Sequence, residues 1–474
     1  MYDVLIVGCG IVGAATAFEL SKYQLKVGIV ERENDVAVGT TKANSAILHA
    51  GYDPEPETLM AKLNVRGVEL ARELCEKLDV PYNPCGSLVL AFSESERATV
   101  EELYARGVEN GVPGMKVISG DEARAMEPNL ADTVVAALWA PTGAICSPWE
   151  YCLALAETAV RNGAELHLET EVTGLTAGEG GWTVHTNKGD FKTRFVINAA
   201  GCDAQTVHEM AAPTSFTLKH ARGQYYLLDK SEGDRVSRVI FQCPNELGKG
   251  VLVSPTVHGN LIVGPNSEPV NSTAVTSDGL RFVRETAAKS VPSVQINQSI
   301  RNFAGVRAAA NTGDFVIELP VPGFMDLAGI CSPGLSAAPA IAEYAVELLA
   351  QSGLELEEKE QFICERRRVN FKELSFEERA ALVEKEPAYG RVICRCETVT
   401  EGEILACMNT PIPPRSVDGV KRRVGAGMGR CQGGFCGPRV VEILSREMNV
   451  TPGEVVQDRA GTWLLAHETK GGAK

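Results

Sequence analysis

Four cysteines in the last fifth of the chain have spacings typical of metal ligands. Cys394 and Cys396 enclose one residue, and Cys431 and Cys436 enclose four. Four thiolates can bind either a [2Fe–2S] cluster or a single zinc ion. Zinc sites usually enclose two residues within each cysteine pair, so the gaps found here favour the cluster and leave zinc as the alternative. The other ten cysteines are scattered singly, and we expect them to be small buried side chains.

The residues around these cysteines also favour an anionic cluster. Pro438 is suited to the first position of a helix over 439–448, whose N-terminus would stabilise thiolates and cluster charge. Thr400 and Glu403 predict a capping box on a short helix after the first cysteine pair. Several basic residues occur in the same region of an otherwise acidic chain, and these are Lys421, Arg422, Arg423, Arg430 and Arg439.

A second set of functional residues lies at the N-terminus. Residues 3–7 predict a buried strand, residues 14–23 a helix and residues 25–30 a second strand ending at Glu31. Between the first strand and the helix, Gly8 permits a tight turn, Gly10 allows close approach to a pyrophosphate, and Gly13 allows the helix to pack on the sheet. The helix N-terminus can bind phosphate, and Glu31 can hold ribose hydroxyls. This order of elements predicts a dinucleotide site.

Three later segments favour FAD over NAD as that dinucleotide. Residues 40–45 supply small hydrogen-bonding groups after the second strand, and residues 198–201 end a later strand with small side chains. Residues 329–336 end a strand and open a helix, whose positive end could stabilise a reduced flavin ring. The predicted cofactor-binding residues are Gly8, Gly10, Ile11, Val12, Gly13, Glu31, Arg32, Thr40, Thr41, Asn44, Ser45, Val172, Ala200, Gly201, Gly329, Gly334, Leu335 and Ser336.

Residues 3–32 and 39–51, including Asn44-Ser45 and His49-Ala50-Gly51, resemble FAD-dependent oxidoreductases of the D-amino-acid-oxidase (DAO) type. Within this family the sequence is most similar to L-2-hydroxyglutarate dehydrogenases and to large subunits of anaerobic glycerol-3-phosphate dehydrogenase. The resemblance covers residues 1 to about 350 and implies hydride transfer from a substrate C–H to the flavin. Residues 390–445 resemble the bacterioferritin-associated-ferredoxin-like (BFD-like) [2Fe–2S] domain, which also ends the glycerol-3-phosphate dehydrogenase subunit.

The family resemblance implies two catalytic residues. His49 is the expected base for the substrate hydroxyl proton, because a neutral imidazole titrates near working pH. The alternatives are a histidine that only packs beside the flavin ring and, less favoured, one covalently attached to it. Arg307 is the expected anion clamp, since a guanidinium binds a carboxylate or phosphate bidentately. A structural ion pair is the alternative for Arg307.

These elements predict an α/β chain with three domains. A discontinuous Rossmann-like FAD-binding domain is expected at 1–80, 146–215 and 301–350, and a β-rich substrate domain at 81–145 and 216–300. A charged helical linker is expected at 351–387, followed by a small [2Fe–2S] domain with its tail at 388–474.

Composition and charge limit the binding partners and the cellular location that we expect for this protein. A net charge of −15 argues against a nucleic-acid surface. No uncharged apolar run is long enough to span a membrane, and the first strand leaves no room for a signal peptide. We therefore expect a cytoplasmic protein, or one held at a membrane by a partner.

Together, the two sites and the resemblance lead us to expect a FAD-dependent dehydrogenase of a small anionic alcohol, with sn-glycerol 3-phosphate as the first choice. Electrons would pass from flavin and cluster to a partner subunit, either a second flavoprotein or an iron–sulfur protein. The alternatives are an L-2-hydroxy acid such as L-2-hydroxyglutarate, an amino acid, or a role as electron-transfer subunit of a larger complex.

Overall fold

The computed structural model describes residues 1–244 and 250–466, which divide into two compact units. The first unit contains Met1–Val30 with Ala37–Arg366. The second contains Glu31–Val36 with the chain from Arg367 onward. Each unit has its own hydrophobic core.

The strands of the described chain are, in order, β1 (Tyr2–Val7), β2 (Val27–Val30), β3 (Ile47–Leu48), β4 (Tyr82–Asn83), β5 (Ser87–Ala91), β6 (Lys116–Ser119), β7 (Ala136–Ala140), β8 (Ala144–Cys146), β9 (Glu165–His167), β10 (Val172–Gly178), β11 (Gly181–Thr186), β12 (Gly189–Asn198), β13 (Leu218–Leu228), β14 (Val239–Gln242), β15 (Leu252–Pro255), β16 (Leu261–Gly264), β17 (Ser299–Ala310), β18 (Val316–Val321), β19 (Phe324–Ala328), β20 (Val392–Cys394) and β21 (Val399–Thr400). The helices are α1 (Ile11–Leu20), α2 (Leu59–Lys77), α3 (Glu94–Glu109), α4 (Gly120–Met126), α5 (Pro148–Arg161), α6 (Ala204–Ala211), α7 (Ser277–Ala287), α8 (Gly334–Gln351), α9 (Phe376–Lys385), α10 (Glu401–Met408), α11 (Val417–Val424) and α12 (Gly437–Met448).

The first sheet of unit 1 contains the predicted dinucleotide-binding strands. Its parallel strands lie in the order β9, β2, β1, β12, β19. Three antiparallel strands extend it: β11 pairs with the start of β12, β10 pairs with β11, and β18 pairs with β19. The short apolar runs of β1, β2 and β19 are buried, as expected for central parallel strands. Helices α1, α5 and α8 pack together beside these strands. This is the predicted Rossmann-like arrangement.

The second sheet is mostly antiparallel, in the order β17, β13, β16, β15, β14, β5, β7, β6. Residues 251–254 and 261–264 flank a turn at 258–260 and predict a hairpin, and strands β15 and β16 form it. Strand β17 pairs with β13 over nearly its whole length, so it crosses the domain boundary predicted between residues 300 and 301. The β-rich expectation for this part of the chain is confirmed.

Helix α8 begins earlier than expected. After the 329–336 segment, the sequence predicts a helix over residues 339–349. In the structure the backbone N–H of Ala337 already donates to the Pro333 carbonyl (3.0 Å), and the helix runs from Gly334. The predicted start at Pro339 was wrong.

The predicted helical linker over 351–387 contains one α-helix, α9, which carries a Ser375–Glu378 capping box. The chain between α8 and α9 forms no α-helix, and its part up to Arg366 is hydrogen-bonded to other residues of unit 1. Asn162 Oδ1 accepts from the backbone N–H of Ile363 (2.9 Å), and Arg366 Nε donates to the buried Glu157 carboxylate (2.8 Å).

Helices α10, α11 and α12 pack around the β20–β21 pair in the second unit. The predicted capping box at Thr400 and Glu403 is confirmed, with Thr400 Oγ1 accepting from the Glu403 N–H at 3.2 Å. Among the helices in the described part of the chain, none combines the length and apolar character needed to cross a bilayer.

Candidate functional site

The predicted cofactor segments meet at the carboxyl ends of the parallel strands. Gly8 follows β1, and Ala199, Ala200 and Gly201 follow the neighbouring β12. The backbone of Gly8 has φ of +98°, and a Cβ placed there would lie 2.7 Å from the Ala199 carbonyl oxygen. Only glycine fits at this position. Ligands of such sheets bind at the carboxyl ends of the strands, where the strand order reverses, and β1 and β12 are the strands at that point.

The turn after β1 leads directly into α1. Gly10 is the residue before the helix, and a Cβ on Gly13 would lie 2.1 Å from the Gly8 carbonyl oxygen. Gly13 therefore allows the close turn-to-helix packing that the sequence predicts. Thr41 Oγ1 accepts a hydrogen bond from the Ile11 N–H (3.0 Å), which brings the 40–45 segment to this helix N-terminus.

Strand β17 lies against the same segment. Thr40 Oγ1 donates to the Val306 carbonyl (2.7 Å), and a Cβ on Gly305 would lie 1.8 Å from the Ala43 carbonyl oxygen. Asn44 Nδ2 donates to the Thr41 carbonyl (2.8 Å), which fixes the turn. The structure thus places the strand that carries Arg307 beside the predicted pyrophosphate segment.

The remaining predicted residues occupy several places. Gly334, Leu335 and Ser336 form the first turn of α8, and Gly329 has φ of +64° just after β19. Val172 packs against the hydrophobic cluster that includes Val7 and Val30. Glu31 and Arg32 follow β2 directly and are counted with the second unit, where Glu31 Oε1 accepts from the Glu33 N–H (2.9 Å).

His49 is held by residues from four parts of unit 1. Its backbone N–H donates to Ser336 Oγ (2.7 Å), and its carbonyl accepts from Asn64 Nδ2 (2.9 Å). The imidazole Nε2 lies 3.3 Å from Ser332 Oγ, and the ring stacks on Phe241 with centroids 5.7 Å apart. The imidazole therefore has a fixed plane next to the flavin-ring segment predicted at 329–336.

Arg307 lies opposite Ala221 in the β17–β13 pair and is half-buried. Nearby, the Tyr225 hydroxyl lies 3.2 Å from Ser45 Oγ, and its ring stacks on Phe303 (4.7 Å). Burial raises the pKa of Tyr225, and the opposing effects of the Ser45 hydrogen bond and the Arg307 charge are smaller. Tyr225 is therefore a neutral phenol able to donate a hydrogen bond in the same region as Arg307.

Sequence reasoning did not single out Tyr225, Ser332 or Phe241 as site residues. Residues 221–228 predict a strand that contains Tyr225, and Ser332 lies within the 329–336 segment. Each is brought to the site by strand pairing or by a loop contact, which leaves no local sequence signal. Arg222 is used differently, since it pairs with Glu268 and donates to the Ala274 carbonyl at 2.5 Å.

The four grouped cysteines lie together in the second unit as two pairs. Cys396 Sγ and Cys431 Sγ are 3.9 Å apart, and Cys394 is hydrogen-bonded to Cys436. Each pair takes one cysteine from each sequence group. The first pair is exposed and the second is buried. Four thiols arranged as two pairs suit a [2Fe–2S] cluster, which is held by four cysteine thiolates.

Backbone N–H groups point at these thiols. The hydrogen bond from Cys436, and then those from the backbone of Gly427 and Glu397, lower the pKa of Cys394 despite its burial. The backbone N–H of Phe435 has the largest part in lowering the pKa of Cys431. A Cβ on Gly429 would lie 2.3 Å from Cys396 Cβ, so the loop closes tightly on this site. The predicted helix α12 begins directly after Cys436, with Pro438 in its first turn. These features fit an anionic cluster.

Two of the basic residues that favoured this cluster in the sequence serve another purpose. Arg422 and Arg423 are buried and bind the Asp35 carboxylate, with Arg423 Nη2 at 2.8 Å from Asp35 Oδ1. The expectation that these two charges face the cluster was wrong, because a buried guanidinium requires a carboxylate partner. Arg430 and Arg439 remain exposed near the cysteines.

Two protein families match the two parts of the chain that contain the predicted sites. The FAD dependent oxidoreductase (DAO) family matches residues 3–348, and the BFD-like [2Fe-2S] binding domain matches residues 392–446. Both resemblances expected from the motifs are confirmed, and so is the expectation of FAD and a [2Fe–2S] cluster as cofactors.

Individual relatives support the same assignment. The chain is 48% identical to a glycerol 3-phosphate dehydrogenase of Caloramator mitchellensis, over 99% of each chain. It is 29% identical to the mitochondrial L-2-hydroxyglutarate dehydrogenase of Arabidopsis thaliana, over 72% of this chain and 82% of that one. A solved structure of dithionite-reduced L-alpha-glycerophosphate oxidase from Mycoplasma pneumoniae with FAD bound is 35% identical. It has a TM-score of 0.73 and covers 77% of this chain and 98% of that one. The chain belongs to the DAO family of FAD-dependent oxidoreductases and carries a C-terminal BFD-like [2Fe–2S] domain.

Proposed function

We propose that this dehydrogenase oxidises sn-glycerol 3-phosphate to dihydroxyacetone phosphate and passes the electrons, through its flavin and its cluster, to a partner protein. The observation that carries this proposal is the 48% identity to a glycerol 3-phosphate dehydrogenase along 99% of both chains, which includes the cluster domain. The M. pneumoniae oxidase matches over almost its whole length but only 77% of this chain. The unmatched share leaves room for the cluster domain as a separate electron exit.

His49 is the proposed base in this reaction. FAD, when bound, supplies the acceptor for the hydride that leaves the substrate carbon. The hydroxyl proton must leave at the same time, and we assign its acceptance to His49 Nε2, whose hydrogen-bonding neighbour is Ser332 Oγ at 3.3 Å. The stacking on Phe241 and the backbone bond to Ser336 keep the imidazole plane fixed.

Arg307 is the proposed binding residue for the substrate phosphate. A guanidinium binds two oxygens of a phosphate at once and so orients the rest of a small molecule. Tyr225 is proposed as a second donor, because its neutral hydroxyl lies in the region of Arg307 and Ser45. A carboxylate would suit the same donors, and the similarity to L-2-hydroxyglutarate dehydrogenases makes that acid the second candidate substrate.

Cofactor assignments follow the geometry described above. The proposed FAD residues are the Gly8–Gly13 turn, residues 40–45, Ala200 and Gly201, and the start of α8, together with Glu31, Arg32 and Val172. The proposed cluster ligands are Cys394, Cys396, Cys431 and Cys436. The electron-accepting partner is proposed to be a second flavoprotein or an iron–sulfur protein.

An anaerobic flavin-reduction assay on the holoprotein tests the substrate. Purified protein should release FAD in acid and contain about two irons and two sulfides per chain. Glycerol 3-phosphate should bleach the flavin absorbance, whereas L-2-hydroxyglutarate should bleach it far more slowly. The reverse order would reassign the substrate to the hydroxy acid. Failure of both compounds with FAD-loaded protein would overturn the proposed reaction.

A further inference from the structure

We propose that the exposed edge of the cluster domain, formed by Arg395, Arg430, Phe435 and Arg439 around Cys396 and Cys431, is a docking surface for an acidic one-electron carrier protein. We call this surface the cluster edge. The inference rests on the proposed function, because it assumes that electrons leave through the [2Fe–2S] site. It specifies the surface at which the electrons leave and the kind of protein that receives them.

The exit side follows from the burial of the cysteines. Cys394 and Cys436 are 1% and 2% exposed, whereas Cys396 and Cys431 are both exposed. Within the described residues, a carrier protein can therefore approach the cluster closely on the side of Cys396 and Cys431. The backbone N–H of Phe435 is hydrogen-bonded to the Cys431 sulfur, so this residue joins the ligand directly to the protein surface.

The side chain of Phe435 is the apolar centre of the cluster edge. It is 56% exposed, although a phenylalanine ring gains free energy from burial. Arg395, which lies between the two cysteines of the first group, stacks its guanidinium on this ring at 4.6 Å. An aromatic ring and an arginine in contact are the residue types that dominate the binding energy of protein interfaces.

The charge of the cluster edge indicates the kind of partner that would bind there. The chain as a whole carries −15, yet three exposed arginines, Arg395, Arg430 and Arg439, lie close in sequence to the exposed cysteines. Arg439 pairs with Glu442 at 2.7 Å, and Glu397 beside Cys396 is buried. A basic patch on an acidic protein attracts an acidic partner to that patch and repels it elsewhere. Each substrate oxidised releases two electrons, so two one-electron carriers would be reduced per turnover.

The test measures binding of the oxidised holoprotein to two carriers of opposite charge, an acidic plant-type [2Fe–2S] ferredoxin and a basic c-type cytochrome. Ferredoxin should bind, and its affinity should fall steeply between about 0.05 M and about 0.5 M salt, because added ions screen the charges. The Arg395→Glu/Arg439→Glu variant should bind ferredoxin at least about tenfold more weakly. Phe435→Ala should also weaken binding. The control variant is Arg281→Glu, which changes an exposed arginine of α7 in unit 1 and should leave ferredoxin binding unchanged.

Visible absorbance of the cluster is recorded for every variant, and Arg439→Glu alone provides the test if substitution next to the cysteines disturbs cluster loading. Equal ferredoxin binding by wild type and the cluster-edge variants would overturn the inference, as would tighter binding of the cytochrome or no ferredoxin binding by the wild type. Flavin bleaching by glycerol 3-phosphate, measured in the same preparation without any carrier, reports on the proposed substrate independently. Failure of the docking surface and failure of the proposed reaction are therefore distinguishable.

Discussion

At the residue scale, His49 shows why the position of an imidazole matters as much as its chemistry. Its backbone is bound to Ser336 and Asn64, and its ring is bound by Ser332 and Phe241. A general base must have its accepting nitrogen within hydrogen-bond reach of the reacting hydroxyl. The contacts to the backbone and to the ring of His49 fix the position of its imidazole before the substrate binds.

Replacing His49 by Asn should slow substrate reduction of the flavin by about 10²- to 10⁴-fold, because the hydroxyl proton would lose its acceptor. FAD content should stay unchanged, since Asn keeps the backbone contacts. Anaerobic stopped-flow measurement of flavin absorbance gives the rate. His185→Asn is the matched control, because His185 is a half-buried residue of β11 that bonds to Asp190 (2.9 Å). A His49→Asn rate close to that of the control would assign His49 a packing role only.

Replacing Arg307 by Met should lower kcat/KM by at least about thirtyfold. Truncating one partner of a buried charge pair costs about 2–5 kcal/mol, and each 1.4 kcal/mol is about a tenfold change. The same assay measures the effect. Arg301→Met, at the exposed start of the same strand β17, is the control and should behave as wild type. Equal kcat/KM values for both variants would remove Arg307 from substrate binding.

At the element scale, the segment after β2 has a structural role that its sequence does not reveal. Asp35 lies in the Glu31–Val36 segment of the second unit and is buried between Arg422 and Arg423 of α11. Burial alone would raise the pKa of the Asp35 carboxyl. The charge and hydrogen bonds of Arg423, followed by those of Arg422, outweigh it and lower that pKa to about 2.

Asp35→Asn should therefore destabilise the second unit by about 3–5 kcal/mol at neutral pH, because the buried Arg423 and Arg422 both lose the Asp35 carboxylate, although Arg422 keeps its pair with Asp458. A carboxyl whose folded-state pKa is lowered stabilises the fold above its unfolded pKa, and this contribution is lost as pH falls toward the folded pKa. The difference between wild type and variant should be constant down to about pH 5 and shrink below about pH 4. Denaturant unfolding followed by circular dichroism measures it.

The control for this experiment is Asp278→Asn, because the Asp278 side chain is 85% exposed and its ion pair with Arg281 is on the surface. We expect that variant to unfold within about 0.5 kcal/mol of the wild type at every pH. An Asp35→Asn variant as stable as this control would show that the buried ion pairs contribute nothing net.

At the scale of the whole molecule, the grouped cysteines lie in the second unit, whereas the proposed FAD residues other than Glu31 and Arg32 lie in the first. Each unit has its own core, so loss of one cofactor should leave the other bound. This separation allows the substrate reaction and the electron exit to be measured one at a time.

Cys431→Ser should abolish the cluster absorbance and the spin-one-half signal after dithionite reduction, while FAD stays bound at wild-type stoichiometry. Electron transfer from substrate to a one-electron carrier should fall to a few per cent of the wild-type rate, because the exposed thiol pair is broken. Cys364→Ser, a half-buried cysteine of unit 1, is the control and should keep both cofactors. Retention of cluster and carrier reduction in Cys431→Ser would contradict the ligand assignment, and joint loss of FAD would contradict the independence of the units.

Much of this organisation is determined by the sequence alone. The glycines at positions 8 and 13 each have one physical explanation, because a Cβ at either position would collide with a backbone oxygen. The Thr400–Glu403 capping box and the β15–β16 hairpin are equally local, since the bonds that define them join residues close in the chain. The grouped cysteines likewise predict a cluster domain, and family comparison confirms it.

Other features were decided only by tertiary structure. The pairing of Cys396 with Cys431, the burial of Arg423 against Asp35 and the placement of Tyr225 beside Ser45 join residues 35, 388 and 180 positions apart. Long-range contacts of this kind depend on strand pairing and packing, which no local pattern encodes. For that reason the sequence predicted arginines at the cluster but misassigned Arg422 and Arg423, whose buried charge required a carboxylate from the other end of the chain.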